Sequence, residues 1–249
     1  MIIIENINKS FGNKVVLNNL SSRFEKGKIN FIIGKSGSGK TMAVKCMLGL
    51  HRLDSGNIFF DNRNFFDISA EQKQEIRKEI GMVFQGGALF DSMTIEQNVM
   101  FPLKMSSSYS FSKMKKRVDF CLKRVDLDNV SQLFPSELSG GMQKRVAIAR
   151  AIVLKPKYLF CDEPNSGLDP TTASVIDNLL KEITYEYNIT TVINTHDMNS
   201  VMEIGDNIIF ISEGVKKWSG NSSMFLNSKS KELNDFIFSS NVFRKLRDI

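Results

Sequence analysis

Eight consecutive residues form a pattern that can hold phosphate: Gly34, Lys35, Ser36, Gly37, Ser38, Gly39, Lys40 and Thr41. They lie between an apolar run, INFII, and a run of helical character, TMAVKCMLGL. Glycine lets main-chain N–H groups turn towards a β-phosphate, the Lys40 ammonium adds charge near the β and γ oxygens, and the Thr41 hydroxyl can ligate Mg²⁺. The alternative is a glycine-rich turn without a ligand. The complete motif, with a strand before it and a helix after it, predicts a phosphate-binding loop (P-loop).

A second pattern supplies the carboxylates that a phosphate-bound Mg²⁺ requires. The run KYLFCDEP places Asp162 at the end of an apolar strand and Glu163 one residue later. Asp162 is expected to hold Mg²⁺, directly or through water, and Glu163 is expected to face the γ-phosphate and polarise an attacking water. The alternative is a pair of solvated carboxylates at a strand exit. A P-loop in the same chain favours the metal and catalytic roles.

Short apolar runs alternate with helical patterns along the chain. A run that is apolar almost throughout indicates a strand covered on both faces, as in an α/β sheet. The predicted strands, besides one at the N-terminus, are Ile29–Ile33, Ile58–Phe60, Met82–Phe84, Tyr158–Cys161, Thr190–Asn194 and Asn207–Ile211. Helix starts are predicted at Ser69 and Thr94, each followed three residues later by Gln, and at Asp169 before Pro170.

The strand patterns stop between Gly87 and Pro156, where helical patterns replace them. We therefore predict one domain, an α/β core of residues 1–86 and 157–219 with a helical subdomain of residues 87–156 inserted into it. Residues 220–249 form a tail. Its C-terminal part places Val242, Phe243 and Leu246 at helical spacing beside basic residues. The tail either packs on its own domain or crosses to a partner chain.

Composition sets limits on the kind of protein. The 249 residues are 42% hydrophobic and 24% charged, as in soluble globular proteins. No signal peptide is predicted, and the longest uncharged runs, such as Ile80–Phe90, are too short to span a bilayer. Three widely spaced cysteines argue against a disulfide framework and favour a reducing cytoplasm. The net charge of +6 indicates solubility, and no motif predicts nucleic-acid binding.

Three motifs together carry a family resemblance. With LSGG at Leu138–Gly141, the P-loop and FCDEP, the sequence resembles the ATP-binding cassette (ABC) ATPases over roughly residues 2–219. The resemblance implies an α/β P-loop NTPase fold with a RecA-like core and an inserted α-helical subdomain. It also implies ATP and Mg²⁺ as ligands. Gln85 looks like the glutamine near Mg²⁺ and the γ-phosphate, His196 like the residue that contacts the γ-phosphate, and Phe11 like the aromatic residue that stacks on adenine.

The predicted helix that begins at LSGG has two glycines in its first turn, and the family resemblance gives them a role. In the family that this chain resembles, two cassettes pair head to tail, and this motif closes over the ATP held by the other cassette. By that resemblance Ser139, Gly140 and Gly141 bind the γ-phosphate on the partner subunit, where main-chain N–H groups and the helix dipole favour negative charge. Since the chain carries one cassette, two complete sites require a homodimer. The alternative is a flexible helix entrance.

Two features indicate a subfamily. Met142 occupies the position where the family usually has Gln. The second feature is the segment Phe84–Leu103, FQGGALFDSMTIEQNVMFPL, which contains Gln85. Both resemble the ATPase of Mla-type (MCE-associated) transporters, which move phospholipid between the inner and outer membranes of Gram-negative bacteria. The resemblance implies integral-membrane permease subunits and an MCE-domain protein as partners, with the chain peripheral at the cytoplasmic face of the inner membrane.

Three alternatives stay open at this point. The same ATPase could serve an amino-acid or lipoprotein transporter, because the partner subunits select the substrate. A soluble ABC ATPase of DNA repair or translation usually carries coiled-coil or zinc insertions, or a second cassette, for which the sequence shows no pattern. A regulatory module without turnover is disfavoured by the intact Lys40, Asp162, Glu163 and His196. The sequence does not specify the substrate or the direction of transport.

Overall fold

A computed structural model describes residues 1–225 and 227–238. The chain forms two compact units, one of Met1–Ser69 with Val192–Ile249 and one of Ala70–Thr191. We call them the first and second unit. The strand that ends the second unit continues into the first, so it contributes residues to both.

The residues that the structure describes form strands and helices, numbered here in chain order. The strands are β1 (Ile2–Phe11), β2 (Lys14–Phe24), β3 (Ile29–Ile33), β4 (Ser55–Phe60), β5 (Arg63–Asn64), β6 (Ile80–Val83), β7 (Tyr158–Asp162), β8 (Thr190–Asn194), β9 (Asn207–Ser212) and β10 (Val215–Gly220). The helices are α1 (Lys40–Met47), α2 (Ala70–Lys78), α3 (Ile95–Ser106), α4 (Phe111–Arg124), α5 (Gly140–Ile152), α6 (Pro170–Glu186), α7 (Met198–Ile204), α8 (Ser222–Phe225) and α9 (Lys231–Ile237), with a 3₁₀ turn at Pro135–Glu137.

The first unit contains an antiparallel sheet and part of a parallel one. The antiparallel sheet has the order β2-β1-β4-β5, with Ile2 paired to Phe24 on one side and to Phe60 on the other. In the parallel sheet β3 runs beside β9, with Ile33 opposite Phe210, and β10 continues it antiparallel to β9. All five residues of β3 are buried, as expected of a strand covered on both faces.

The second unit combines parallel strands with a set of helices. β6 and β7 are parallel, with Ile80 opposite Tyr158 and Val83 opposite Cys161. Between Gly87 and Pro156, a range that the structure describes completely, the regular elements are the helices α3, α4 and α5 and the 3₁₀ turn. Buried apolar side chains of α5, among them Val146 and Ile148, join the core of this unit.

The structure confirms the predicted strands and most of their limits. β3 and β8 have the predicted ends, and the other predicted runs lie within β4, β6, β7 and β9 or extend them by a residue. Thr94 and Gln97 form the predicted capping box at the start of α3, and Asp169 caps α6 with Pro170 as its first residue. The predicted boundaries of core, helical subdomain and tail stay predictions.

The described part of the tail packs on its own unit. The Phe236 ring in α9 stacks on Phe210 of β9 with centroids 5.2 Å apart, and Leu233 and Ile237 are fully buried. These contacts agree with the packing alternative for residues 231–238. The predicted helical pattern of Val242, Phe243 and Leu246 lies outside the described residues. Within residues 1–225 and 227–238 no helix is both long and apolar enough to cross a bilayer.

Candidate functional site

The predicted phosphate loop joins the end of β3 to the start of α1. Gly39 precedes the helix with φ +107°, a left-handed conformation that side chains with a Cβ rarely adopt. A Cβ at Gly39 would also lie 2.8 Å from the main-chain oxygen of Val16 in β2. The loop therefore requires glycine at this position for its conformation as well as for close packing.

The loop surrounds a buried cation. Lys40 is 7% exposed, and its Nζ donates to the carbonyl oxygens of Gly34, at 2.8 Å, and Lys35, at 3.1 Å. The buried Ser38 Oγ has no hydrogen-bond partner among the described residues. A buried ammonium beside a hydroxyl with unused hydrogen-bonding capacity fits a bound phosphate, since the phosphate oxygens can accept from both groups.

Thr41, the predicted Mg²⁺ ligand, contacts the end of β8. Asn194 Nδ2 donates to Thr41 Oγ1 at 3.2 Å, and Asn194 is 1% exposed. His196 follows two residues later, with an exposed side chain. In the first unit a direct side-chain contact therefore joins the phosphate loop to the end of β8, two residues before His196.

Phe11 lies at the end of β1 with 47% of its surface exposed. Its ring meets His51 edge-on, with centroids 5.6 Å apart, and the Lys9 ammonium lies 5.2 Å from its centroid. A cavity of about 460 Å³ beside the phosphate loop is lined by Gly37, Lys40 and Thr41 among others. Phe11 is outside the lining of that cavity, although an exposed ring is available for stacking.

In the second unit, parallel strands bring two predicted site segments to one sheet edge. Val83 of β6 is opposite Cys161 of β7. Gln85 lies two residues after Val83 and Glu163 two residues after Cys161, so both lie at the carboxyl ends of neighbouring strands. Gln85 Nε2 donates to Ser166 Oγ at 3.2 Å. This contact links Gln85 to Ser166, which lies three residues after Glu163.

Glu163 adopts a left-handed backbone conformation, with φ +49°. This conformation is uncommon for residues other than glycine and is concentrated at functional sites, where the surrounding structure holds it. Asp162, directly before it, is the last residue of β7. The left-handed residue therefore directly follows the carboxylate that ends the strand.

The second unit also contains a buried cation that no sequence pattern indicated. Lys144 in α5 is 7% exposed, and its Nζ donates to the main-chain carbonyl of Gln85. Burial lowers the pKa of Lys144 from its ordinary value, while the charge of Glu163 raises it. Lys144 therefore lies within electrostatic reach of the predicted catalytic carboxylate. Lys144 lies six residues after Leu138, near the signature motif, which could have drawn attention to it. The spacing alone does not identify Gln85 as its partner.

The predicted signature residues begin α5. Ser139 is the N-cap, and its hydroxyl accepts from the main-chain N–H of Met142 at 3.3 Å. A Cβ at Gly141 would lie 2.7 Å from Thr172 Cγ2 in α6, so close packing within the chain requires this glycine. Ser139 and Gly140 are exposed, which leaves the helix N-terminus accessible to an anion.

Comparisons with known proteins show the family of this chain. Residues 17–166 match the family model described as ABC transporter. The chain is 40% identical to the methionine import ATP-binding protein MetN of Clostridium tetani over 215 residues, which is 85% of this chain and 66% of that protein. It is 35% identical to the intermembrane phospholipid transport system ATP-binding protein MlaF of Haemophilus influenzae over 237 residues, 95% of this chain and 90% of the relative.

The structural comparison gives the same result. The ATP-binding cassette MJ0796, solved as a dimer in a post-hydrolysis state with ADP and Pi, matches with a TM-score of 0.80 and 32% identity. The match covers 89% of this chain and 99% of the other. This chain belongs to the ABC transporter family. It is an ABC ATPase cassette, and the predicted fold class is confirmed.

Each unit of this ABC ATPase contains part of the predicted site. The first unit holds Phe11, the P-loop and His196, and the second holds Gln85, Asp162, Glu163 and the signature residues. The chain spans about two thirds of the length of the MetN relative and nine tenths of the MlaF relative.

Two further polar side chains, which the sequence did not indicate, hold the segment after Gln85 in this ABC ATPase. Asn98 is fully buried; its Nδ2 donates to the carbonyls of Phe90, Met93 and Thr94, and its Oδ1 accepts from the N–H of Phe90. Arg150 donates to the carbonyls of residues 87 and 88 at 2.6 and 2.7 Å. Together they fix the path of residues 87–94.

Proposed function

We propose that this chain is the ATP-hydrolysing subunit of a membrane transporter that moves phospholipid between the inner and outer membranes. The observation that carries the motor function is the buried ammonium of Lys40 within a glycine-rich loop, beside a hydroxyl with unused hydrogen-bonding capacity. The lipid substrate rests on the Mla-type features of the sequence and on the similarity to MlaF over nearly its whole length.

The residues present fit ATP with Mg²⁺, which supplies the phosphoryl group and neutralises its charge. Lys40 and the N–H groups of the loop would hold the phosphates, and Thr41, Gln85 and Asp162 are the residues proposed to hold the metal. Glu163 positions or activates the attacking water. His196 contacts the γ-phosphate, and Phe11 stacks on adenine.

The exposed N-terminus of α5 supports a role between two copies. Ser139, Gly140 and Gly141 bind the γ-phosphate held by the partner subunit, so ATP joins two chains and its hydrolysis separates them. The solved dimeric state of the related cassette MJ0796 supports this proposal. The dimer is therefore proposed to be the active form.

An apolar groove supports docking to a permease. A cavity of about 380 Å³ is lined by residues of the Gln85 segment, α3 and α5, including Phe84, Phe90, Phe101 and Pro102. Phe84 and Phe90 are 43% and 41% exposed. Exposed aromatic side chains in a groove favour an apolar partner segment. The resemblance implies contact with the permease at this segment, which would hold the chain at the cytoplasmic face of the inner membrane.

A second candidate function is the ATPase of a methionine importer. The higher identity to MetN, 40% against 35%, favours it. Coverage favours the lipid transporter, because this chain accounts for 90% of MlaF but 66% of MetN. The two candidates share the motor chemistry and differ in their partner subunits.

Affinity purification of the chain from gently solubilised native membranes distinguishes them. We expect mass spectrometry to find a multi-span permease, an MCE-domain protein and bound phospholipid. A permease accompanied by a solute-binding protein would contradict the lipid substrate and support the methionine candidate. Recovery without any membrane protein would contradict the transporter assignment for both.

A further inference from the structure

A cleft in the second unit lies apart from every residue assigned above. It has a volume of about 570 Å³, larger than the cavity of about 460 Å³ beside the phosphate loop. We call it the α4 cleft and define it by Lys116, Arg117, Phe120, Ile152, Lys155 and Tyr187, which are among its lining residues. Its volume is in the range of small-molecule binding sites in proteins, which is about 300–1,000 Å³.

The charge of the α4 cleft is positive. Three of its lining residues are cations, and no Asp or Glu is among its lining residues. Lys116 and Lys155 have no carboxylate within 4.0 Å in residues 1–225 and 227–238. By contrast, Arg124 at the end of α4 is paired with Glu182 and Glu186 at 3.2 and 2.8 Å. The positive charge at the cleft is therefore available to an anion.

One of the three cations is held in place before any ligand binds. Arg117 Nε donates to the carbonyl of Val153 at 2.9 Å and Nη2 to that of Ile152 at 2.8 Å. Its guanidinium group also lies 4.9 Å from the centroid of Phe120. A fixed cation loses little conformational entropy when it binds an anion, which favours affinity.

The remaining walls are apolar and partly exposed. Phe120 is 47% exposed and Tyr187 is 37% exposed, and Ile152, at 1% exposure, belongs to the core. Aromatic surface in a cleft that is also lined by three cations suits a ligand with an apolar body and an anionic group. A concave site of this volume favours a small molecule over the broad contact that a protein partner makes.

We propose that the α4 cleft binds a small amphiphilic anion, a carboxylate or phosphate monoester attached to an aromatic or aliphatic body. Lys116, Arg117 and Lys155 hold the anionic group, and Phe120 and Tyr187 pack against the body. Two sources share this chemistry: a free phosphorylated small molecule and a lipid-derived amphiphile. The site is independent of the transported substrate and of the ATP-hydrolysing residues.

Saturation-transfer-difference NMR titrations of the full chain test the proposal. Excess ADP and Mg²⁺ occupy the phosphate loop, and the probes are phenyl phosphate, decanoate below its micelle-forming concentration, and inorganic phosphate. We expect phenyl phosphate, decanoate or both to bind with a Kd on the order of 0.1–1 mM. Binding of phenyl phosphate alone assigns a free phosphorylated molecule, and binding of decanoate alone assigns a lipid-derived one.

Matched variants locate the binding. Lys116→Gln combined with Lys155→Gln is expected to weaken binding at least about tenfold, because two of the three cations are lost. Phe120→Ala should weaken phenyl phosphate or decanoate without affecting inorganic phosphate. Lys123→Gln, on the same helix but outside the cleft, is the control for charge.

Several outcomes would overturn the proposal: neither organic probe binds, inorganic phosphate binds as tightly as phenyl phosphate, or Lys123→Gln weakens binding as much as the double substitution. The single substitutions Lys116→Gln and Lys155→Gln, both at the surface, are measured separately with their unfolding midpoints. If the double variant does not fold, unchanged binding in both singles contradicts the proposal.

Discussion

The Lys144 ammonium donates a hydrogen bond to the main-chain carbonyl of Gln85. The contact connects the helix that begins at the signature residues to the segment that contains a predicted metal ligand. Since Glu163 also acts electrostatically on Lys144, one buried cation lies between three parts of the proposed site. We regard Lys144 as a positioning residue, because it acts on the predicted metal ligand Gln85 through its main chain.

Lys144→Met is expected to lower kcat for ATP hydrolysis about tenfold and to change KM by less than about twofold, because Gln85 loses its fixed position while the phosphate loop is intact. Steady-state phosphate release measures both constants. Lys144→Arg keeps a cationic donor and should restore most of the rate. Lys144→Met also leaves the Gln85 carbonyl without its donor, so the unfolding midpoint is measured, and a midpoint close to the parental one separates positioning from misfolding. A Lys144→Met protein with parental kcat contradicts this role.

Glu163→Gln is expected to reduce hydrolysis about a hundredfold, to about 1% of the parental rate, because the amide does not activate water. ATP should then hold two chains together. Size-exclusion chromatography with light scattering, in ATP and Mg²⁺, measures the dimer. Glu25→Gln, an exposed position in the first unit, is the matched control. Turnover of Glu163→Gln at the parental rate would remove Glu163 from the mechanism.

The sequence predicted the strands that are buried on both faces, and it missed β2 and β10, which have solvated residues. Every residue of β3 and β8 is buried, and both are largely apolar runs, so their composition indicates a strand covered on both faces. β2 and β10 were not predicted. Both contain exposed polar residues, as in KVVLNNLSSRF and VKKWSG, and their pairing with β1 and β9 determines their conformation.

The site shows the same division between local and long-range information. The P-loop and the carboxylates after β7 are contiguous motifs, and their chemistry can be inferred from residue types. Asn194 and Thr41 are 153 residues apart in sequence, and Lys144 and Gln85 are 59 apart. No sequence pattern specifies such pairs, because the packing of separate elements creates them.

Asn98→Ala is expected to destabilise the protein by about 2–4 kcal/mol. The substitution removes a fully buried side chain that satisfies three carbonyls and one N–H around residues 90–94. Urea unfolding followed by circular dichroism measures the change. Asn13→Ala, at an exposed turn, should change stability by less than about 0.5 kcal/mol. Equal effects of the two substitutions would show that the Asn98 network contributes nothing specific.

The three cysteines are expected to be unreactive in the native protein. Burial raises the pKa of Cys46 and of Cys121 to about 11, and burial also raises the pKa of Cys161. A raised pKa keeps each thiol protonated at pH 8, and the thiolate is the reactive form. Ellman's reagent should label fewer than one thiol per chain at pH 8 and all three in denaturant. Rapid labelling of the native chain would contradict the buried environment.

Two truncations separate the alternatives for the tail. Ending the chain at Ser228 removes α9, so Phe210 loses its stacked partner and the buried side chains of Leu233 and Ile237 are lost. We expect a loss of about 3–6 kcal/mol in the free energy of unfolding from the apolar area removed. Ending it after Phe238 keeps these contacts, so this loss is not expected. Light scattering in ATP with the Glu163→Gln background measures dimer formation. A weaker dimer of the chain that ends after Phe238 supports an arm that crosses to the partner. An unchanged dimer contradicts such an arm.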